Sequence, residues 1–202
     1  MSRIKDKRVE KMKKRILAAV AALIILIAVP LFSVKNNVPD DLVKLFCSDS
    51  KNSHDIINTL AYEYREEYSD EALKAIAIIL NSNYKAGKKL KSTNKTDFIK
   101  KYGKDNYSKI EKTIDDVKDI CITYKDKPAP VPYCYLSGGY SERSAKHPFI
   151  KTAACPWDLL DEEYDGSHPD AVSLNSINKL CENGYSYAEA LAVYIDGKLE
   201  KK

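Results

Sequence analysis

Three sets of residues in this chain have side chains and spacing suited to chemistry. Asp70 and Glu71 directly follow Ser69. A serine before two carboxylates marks a helix start, where a hydroxyl caps the first turn and the exposed amides favour negative charge. Ser137-Gly138-Gly139-Tyr140-Ser141-Glu142 joins hydroxyls and a carboxylate to two glycines, with Tyr133 and Tyr135 on its other flank. Such glycines permit close approach to a ligand or a positive φ. Cys47, Cys121, Cys134, Cys155 and Cys181, with His147 and His168, supply thiols and imidazoles, yet no Cys-x-x-Cys or zinc-finger spacing occurs. Each set also has an ordinary reading: a first-turn glutamate, a hairpin loop, buried small apolar residues. Core packing likewise accounts for most of the 14 tyrosines.

The elements that position these residues follow from periodicity. Asp55–Tyr68 carries apolar residues at Ile56, Ile57, Leu60, Ala61 and Tyr64, a helical spacing with Glu63, Glu66 and Glu67 among its polar positions. Beyond the cap at Ser69, Ala72–Leu80 contains a single charge, Lys74, and so predicts a helix buried on nearly all sides at the centre of the domain. Gly87–Asn106 is polar and reads as an exposed connection with some local helix. Val117–Tyr124 predicts a strand, 125–127 a turn, and Val131–Leu136 its return, while Tyr185–Tyr194 predicts a last helix ended by Asp196-Gly197. The class is α+β: one domain with a central apolar helix packed on antiparallel strands and hairpins.

Composition narrows the partners. Of the net charge of +4, Arg3–Arg15 holds +6, leaving −2 for everything after it. A basic tail detached from the folded surface does not make a phosphate-binding face, so nucleic acid is not an expected partner. Ile16–Val34 is 19 residues without a charge, close to the length that crosses a bilayer as a helix, and the cations before it orient the tail inward. The alternative is a cleaved signal peptide, although no clear cleavage site follows. The organisation expected is a basic cytoplasmic tail (1–15), a transmembrane helix preceding the domain (16–34), a stalk (35–54) and an extracytoplasmic domain (55–202). The chain is thus expected in the cell membrane, single-pass, with its C-terminal domain outside. There disulfides are chemically permitted.

Several segments resemble one family in order and spacing. Ser69-Asp70-Glu71-Ala72-Leu73-Lys74-Ala75 resembles the E-A-L-K-A-Q-A signature of the stage II sporulation protein D family, the amidase-enhancer domain. Ile122-Thr123-Tyr124-Lys125-Asp126-Lys127-Pro128 and the Ser137–Glu142 loop are similar to that family's strand, turn and S-G-G-x-T-E loop. Pro148-Phe149-Ile150, Pro156-Trp157-Asp158 and Gly184-Tyr185-Ser186-Tyr187 resemble its later elements. The resemblance spans about Asp55 to Leu199.

It implies a lytic transglycosylase that cuts peptidoglycan glycan strands lacking stem peptides, in sporulation, with Glu71 as the catalytic acid and base. It also implies substrate contacts from Ser137, Gly138, Gly139, Tyr140, Ser141, Glu142, His168 and Ser173. For Glu71 to act as the acid, burial in an apolar cleft must outweigh the helix terminus, which favours the anion. A catalytically lapsed glycan-binding or scaffold protein that recruits a cell-wall amidase is the alternative. The sequence departs from the family at Ile76, at Asn81-Ser82-Asn83, and at His168–Leu174, where only His168 and Ser173 remain of a longer motif. No cofactor is expected. Some relatives hold zinc through one His and two Cys around the glycine loop. Here Cys134 stands at the histidine position, while Tyr140 and Lys146 stand at the cysteine positions. That leaves open a rearranged site from Cys134, His147, Cys155 and His168, a Cys134–Cys155 disulfide, or unlinked thiols.

Overall fold

A computed structural model describes residues 53–160 and 168–201. The expected tail, transmembrane helix and nearly all of the stalk lie outside the described residues. Among the described residues no helix is long and apolar enough to cross a membrane.

The chain is mixed α+β. Helix α1 (53–63) is followed by α2 (Asp70–Lys85), α3 (Lys95–Tyr102) and α4 (Lys104–Val117). Strands β1 (Ile120–Tyr124), β2 (Lys127–Pro128), β3 (Tyr133–Cys134), β4 (Tyr140–Ser141) and β5 (Ala153–Ala154) come next. A 3-10 turn (Pro156–Leu160), β6 (Val172–Ser173), α5 (Leu174–Glu182), α6 (Tyr187–Tyr194) and β7 (Lys198–Lys201) complete the order.

Helix α2 starts where the sequence places it. Ser69 Oγ accepts the Ala72 N–H at 3.2 Å, satisfying one orphan amide of the first turn. Ala72, Leu73 and every residue from Ala75 to Asn83 are buried, so the helix runs through the core with α4, β1, α5 and α6 around it. Its polar C-terminal half is tied down as completely. Asn81 Nδ2 donates to the carbonyls of Lys118 (2.8 Å) and Ile120 (2.7 Å), Ser82 Oγ accepts the Ile122 N–H (2.7 Å), and Asn83 Nδ2 donates to Val131 O (2.8 Å). These three side chains fix the strand region to the central helix.

Helix α1 is shorter than its pattern suggests. The chain leaves it after residue 63 and turns, which carries Tyr64 and Tyr68 inward together. Tyr64 meets Phe98 and Tyr102 edge-on at 5.2 Å, and Phe98 also meets Tyr107 at 5.7 Å, locking the end of α1 to α3 and α4. The sequence pattern places 104–106 in the exposed connection and Val117 in a strand; both belong to helix α4, whose buried Tyr107, Ile110, Ile114 and Val117 supply a helical face.

The expected hairpin is also corrected. Strand β1 turns through Lys125 and Asp126, both at positive φ, into a β2 of only two residues. Its longer partner is β7, paired antiparallel from Ile120↔Lys201 to Thr123↔Lys198. Pro128, Pro130 and Pro132 lack the amide protons a ladder needs, so Val131–Leu136 does not return alongside β1. Instead β3 pairs parallel with β6, and β4 pairs antiparallel with β5.

Candidate functional site

Glu71 lies in the first turn of α2 with its side chain 35% exposed. One carboxylate oxygen accepts from Lys74 Nζ at 2.7 Å, and the other accepts the Tyr187 N–H at 2.8 Å. Tyr187 is the first residue of α6, so Glu71 joins the N-termini of two helices. The Lys74 ammonium, aided by the Tyr187 amide and opposed by burial, holds this carboxyl below its ordinary range. Hydrogen bonding to the anion wins over desolvation, the reverse of what an acid at this position requires. Glu71 also takes no part in the walls of the cavities described below.

The glycine loop is built around Asp158, which is fully buried. Asp158 Oδ2 accepts from both the N–H and the Oγ of Ser137 at 2.7 Å. Its Oδ1 accepts from Ser173 Oγ (2.9 Å), Ser176 Oγ (3.0 Å) and Asn175 Nδ2 (3.1 Å). Five donors compensate the burial of one charge, and in doing so they pin the loop and the 3-10 turn to the start of α5. Ser137 and Ser173 are therefore consumed inside the protein, as is Ser141, fully buried and donating to Lys151 O at 2.8 Å. Each of the three hydroxyls expected to touch substrate thus donates to a partner inside the protein. Gly138 and Gly139 do take positive φ, +88° and +101°, and a Cβ on Gly139 would lie 2.9 Å from the Leu159 side chain. Tyr140, 44% exposed, with Glu142 and His168, remains on the surface.

The candidate metal ligands are not brought together. Cys134 and His147 line one cavity, whereas Cys155 is buried beside the Asp158 cluster, where desolvation pushes its thiol up. Among the described residues no group of three or more His, Cys, Asp or Glu could hold a metal ion. Cys121, Cys134, Cys155 and Cys181 carry thiols not joined to one another, and burial pushes Cys181 up to about 11. Cys47 lies outside the described residues.

The arrangement best suited to chemistry centres on a residue the sequence did not single out. Glu63, the last residue of α1, lines a cavity of about 830 Å³ together with Tyr133, Tyr135, Lys91, Cys134 and His147. Cavities of that size accept small organic ligands or a few sugar rings. A second cavity of about 470 Å³ shares Tyr62, Glu63 and Tyr135 with it and adds Arg65, whose guanidinium lies 3.4 Å above the Tyr135 ring. Glu63 thus stands where two clefts adjoin.

Glu63 Oε1 accepts the Tyr133 hydroxyl proton at 3.0 Å. Burial nevertheless raises the Glu63 carboxyl above its ordinary value, against the opposing pull of Tyr133, Lys91 and Arg65. A helix C-terminus adds to the disfavour of a carboxylate there. Two elements fix the pair: the aromatic cluster at Tyr64 anchors the end of α1, and pairing with β6 places Tyr133. A partly buried acid, hydrogen-bonded to a phenol and flanked by tyrosine faces, can donate a proton and later take one back.

No protein-family model matches the chain, and no curated protein matches it.

Proposed function

We propose that this domain is a lytic transglycosylase acting on the glycan strands of peptidoglycan, a divergent relative of the stage II sporulation protein D family. On this reading segment 16–34 holds it at the outer face of the membrane, and it works during sporulation. The observation that carries the reading is the raised carboxyl of Glu63 between two tyrosine-lined clefts. The ordered resemblance of the flanking segments supports it.

The chemistry needs one carboxyl. Glu63 in its acid form gives its proton to the glycosidic oxygen as the bond from that oxygen to C1 breaks. The resulting carboxylate takes the proton from the C6 hydroxyl of the same sugar as that oxygen bonds to C1. The products are a shortened strand and a 1,6-anhydro end, no water is consumed, and Glu63 is returned protonated. A second carboxylate, required by two-carboxylate glycosidases, has no part in this route. Tyr133 would orient Glu63 through its hydroxyl, and Tyr62 and Tyr135 would offer faces to sugar rings.

Binding without turnover, with recruitment of an amidase, is the second reading. It is favoured by the internal bonds of Ser137, Ser141 and Ser173, which take up the hydroxyls that the family resemblance implies as substrate contacts. The full chain in detergent, incubated with peptide-free glycan, separates the two. Mass spectrometry should find 1,6-anhydro-ended fragments that disappear in Glu63→Gln. Binding without fragments selects the second reading, and undiminished release by Glu63→Gln rejects the assignment of the acid.

A further inference from the structure

The wall of the 830 Å³ cavity is strongly one-sided in charge. Lys88, Lys89 and Lys91 come from the segment after α2, and Lys146 from the loop after β4. None of the four is in an ion pair with a described carboxylate. The one carboxyl in the wall is Glu63, whose burial disfavours its charge. Like charges gathered on a concave wall focus a positive potential into the cleft.

The lysine segment is held at both ends. The Lys88 N–H donates to Asn83 O at 2.9 Å, and the Thr93 N–H donates to Asn58 O on α1 at 3.0 Å. Gly87, at φ +74°, permits the turn out of α2. A backbone fixed in this way keeps the three lysines in one wall of the cavity.

A second, independent observation lies in the same wall. His147 is 6% exposed, and among the described residues its Nδ1 has no hydrogen-bond partner. Such a buried polar atom calls for a partner from the ligand. Lys146 and Lys88 disfavour a proton on this imidazole and Asp170, outside the wall, favours one, but burial is the largest influence and keeps it neutral. A neutral imidazole with its proton on Nδ1 donates to an oxygen acceptor.

We propose that Lys88, Lys89, Lys91 and Lys146, with His147 Nδ1 among them, form a subsite for a free carboxylate carried by a glycan. This rests on the glycan reading above and deepens it. In a peptidoglycan strand the matching group is the lactyl carboxylate of muramic acid. That group is anionic only where the stem peptide is gone, because in an intact strand it is consumed as an amide. The subsite therefore discriminates stripped strands from decorated ones by charge, and it does so beside the carboxyl that cuts.

The test uses the full chain in detergent and equilibrium binding of three oligosaccharides of equal length: peptide-free muramic acid strands, neutral chitin oligomers and a uronic acid oligomer. The muramic strand is expected to bind about 10-fold tighter than chitin in about 0.1 M salt, with the gap shrinking as salt approaches about 1 M. Lys88→Gln/Lys91→Gln and Lys146→Gln should narrow the gap while leaving chitin binding intact, and that retained binding reports on folding. His147→Ala should lower muramic strand affinity without changing the salt dependence. Equal affinity for the muramic and chitin strands, or a gap untouched by the lysine variants, overturns the subsite and leaves the glycan reading standing. Tighter binding of the uronate overturns the lactyl assignment. Failure to bind any of the three overturns the glycan reading itself.

Discussion

Two glutamates on consecutive helices hold opposite positions. Glu71 opens α2, where amides point at it, and it has gained an ammonium and a backbone N–H. Glu63 closes α1, where carbonyls gather, and its one described hydrogen bond comes from a phenol. The first carboxyl is stabilised as an anion and fastens two helix starts together; the second is pushed toward its acid form and faces open space. The residue type is the same, and the ends of the helices and the neighbours separate a fastened anion from a carboxyl that holds its proton more tightly.

Asp158 is fastened by more hydrogen bonds than either glutamate, and removing it should give the largest effect. Asp158→Ala takes from five donors in a buried place the acceptor they share, although Ser173 Oγ keeps another, Tyr135 O, and urea unfolding should show a loss of about 3–5 kcal/mol. A loss under about 1 kcal/mol would mean that the carboxylate is dispensable for folding.

On the transglycosylase proposal Glu63→Gln, by contrast, should fold and lose function, with strand cleavage falling about 100-fold or more. Its stability should carry a distinctive pH signature. Because the folded carboxyl titrates above its ordinary 4.5, the wild type has its full contribution below that value and loses it as pH rises through the folded value. Relative to the wild type, Glu63→Gln should therefore gain stability on going from acid to neutral pH. Cleavage by the wild type should decline over the same rise, since the reaction begins from the protonated acid.

Gly139→Ala tests whether the glycine loop belongs with the fastened region. A side chain at φ +101° is strained whatever the space around it, while the Leu159 side chain, 67% exposed, can move away from the new methyl. A loss of about 1–3 kcal/mol in thermal unfolding, with glycan affinity unchanged, is expected.

The smallest effect should come from Glu71→Gln, under about 1 kcal/mol for a carboxylate this exposed. Its sign is opposite to that of Glu63. The folded value lies below 4.5, so the contribution is present above that pH and is lost as pH falls through the folded value. Parallel pH dependences in the two variants would erase the distinction between the two sites.

The central helix was legible because Ser69-Asp70-Glu71 signals its start and the apolar run its burial, both local properties. Helix α6 was legible from the spacing of Tyr187, Ala190, Leu191 and Tyr194, and the structure adds a reciprocal capping box between Ser186 and Glu189 at its start. Strand β7 was not, since Lys-Leu-Glu-Lys has neither an apolar face nor β-branched residues and exists as a strand only because β1 pairs with it. Glu63 was obscured in a similar way. It is one of three glutamates near the end of a helical pattern, and what distinguishes it is a tyrosine 70 residues further on. The bonds of Ser137 and Ser173 were hidden for the converse reason, because Asp158, which accepts from both, is reached only through the fold.

The pairing of β1 with β7 also governs when the domain can become complete. A nascent chain that has released α2 and α4 can already bury them against each other, but β1 keeps one ladder edge open until Lys201 has emerged. Synthesis must pass almost the whole domain before its sheet can close. Until then that bare edge is exposed to other unfinished chains, and truncation just before Lys198 would make the exposure permanent.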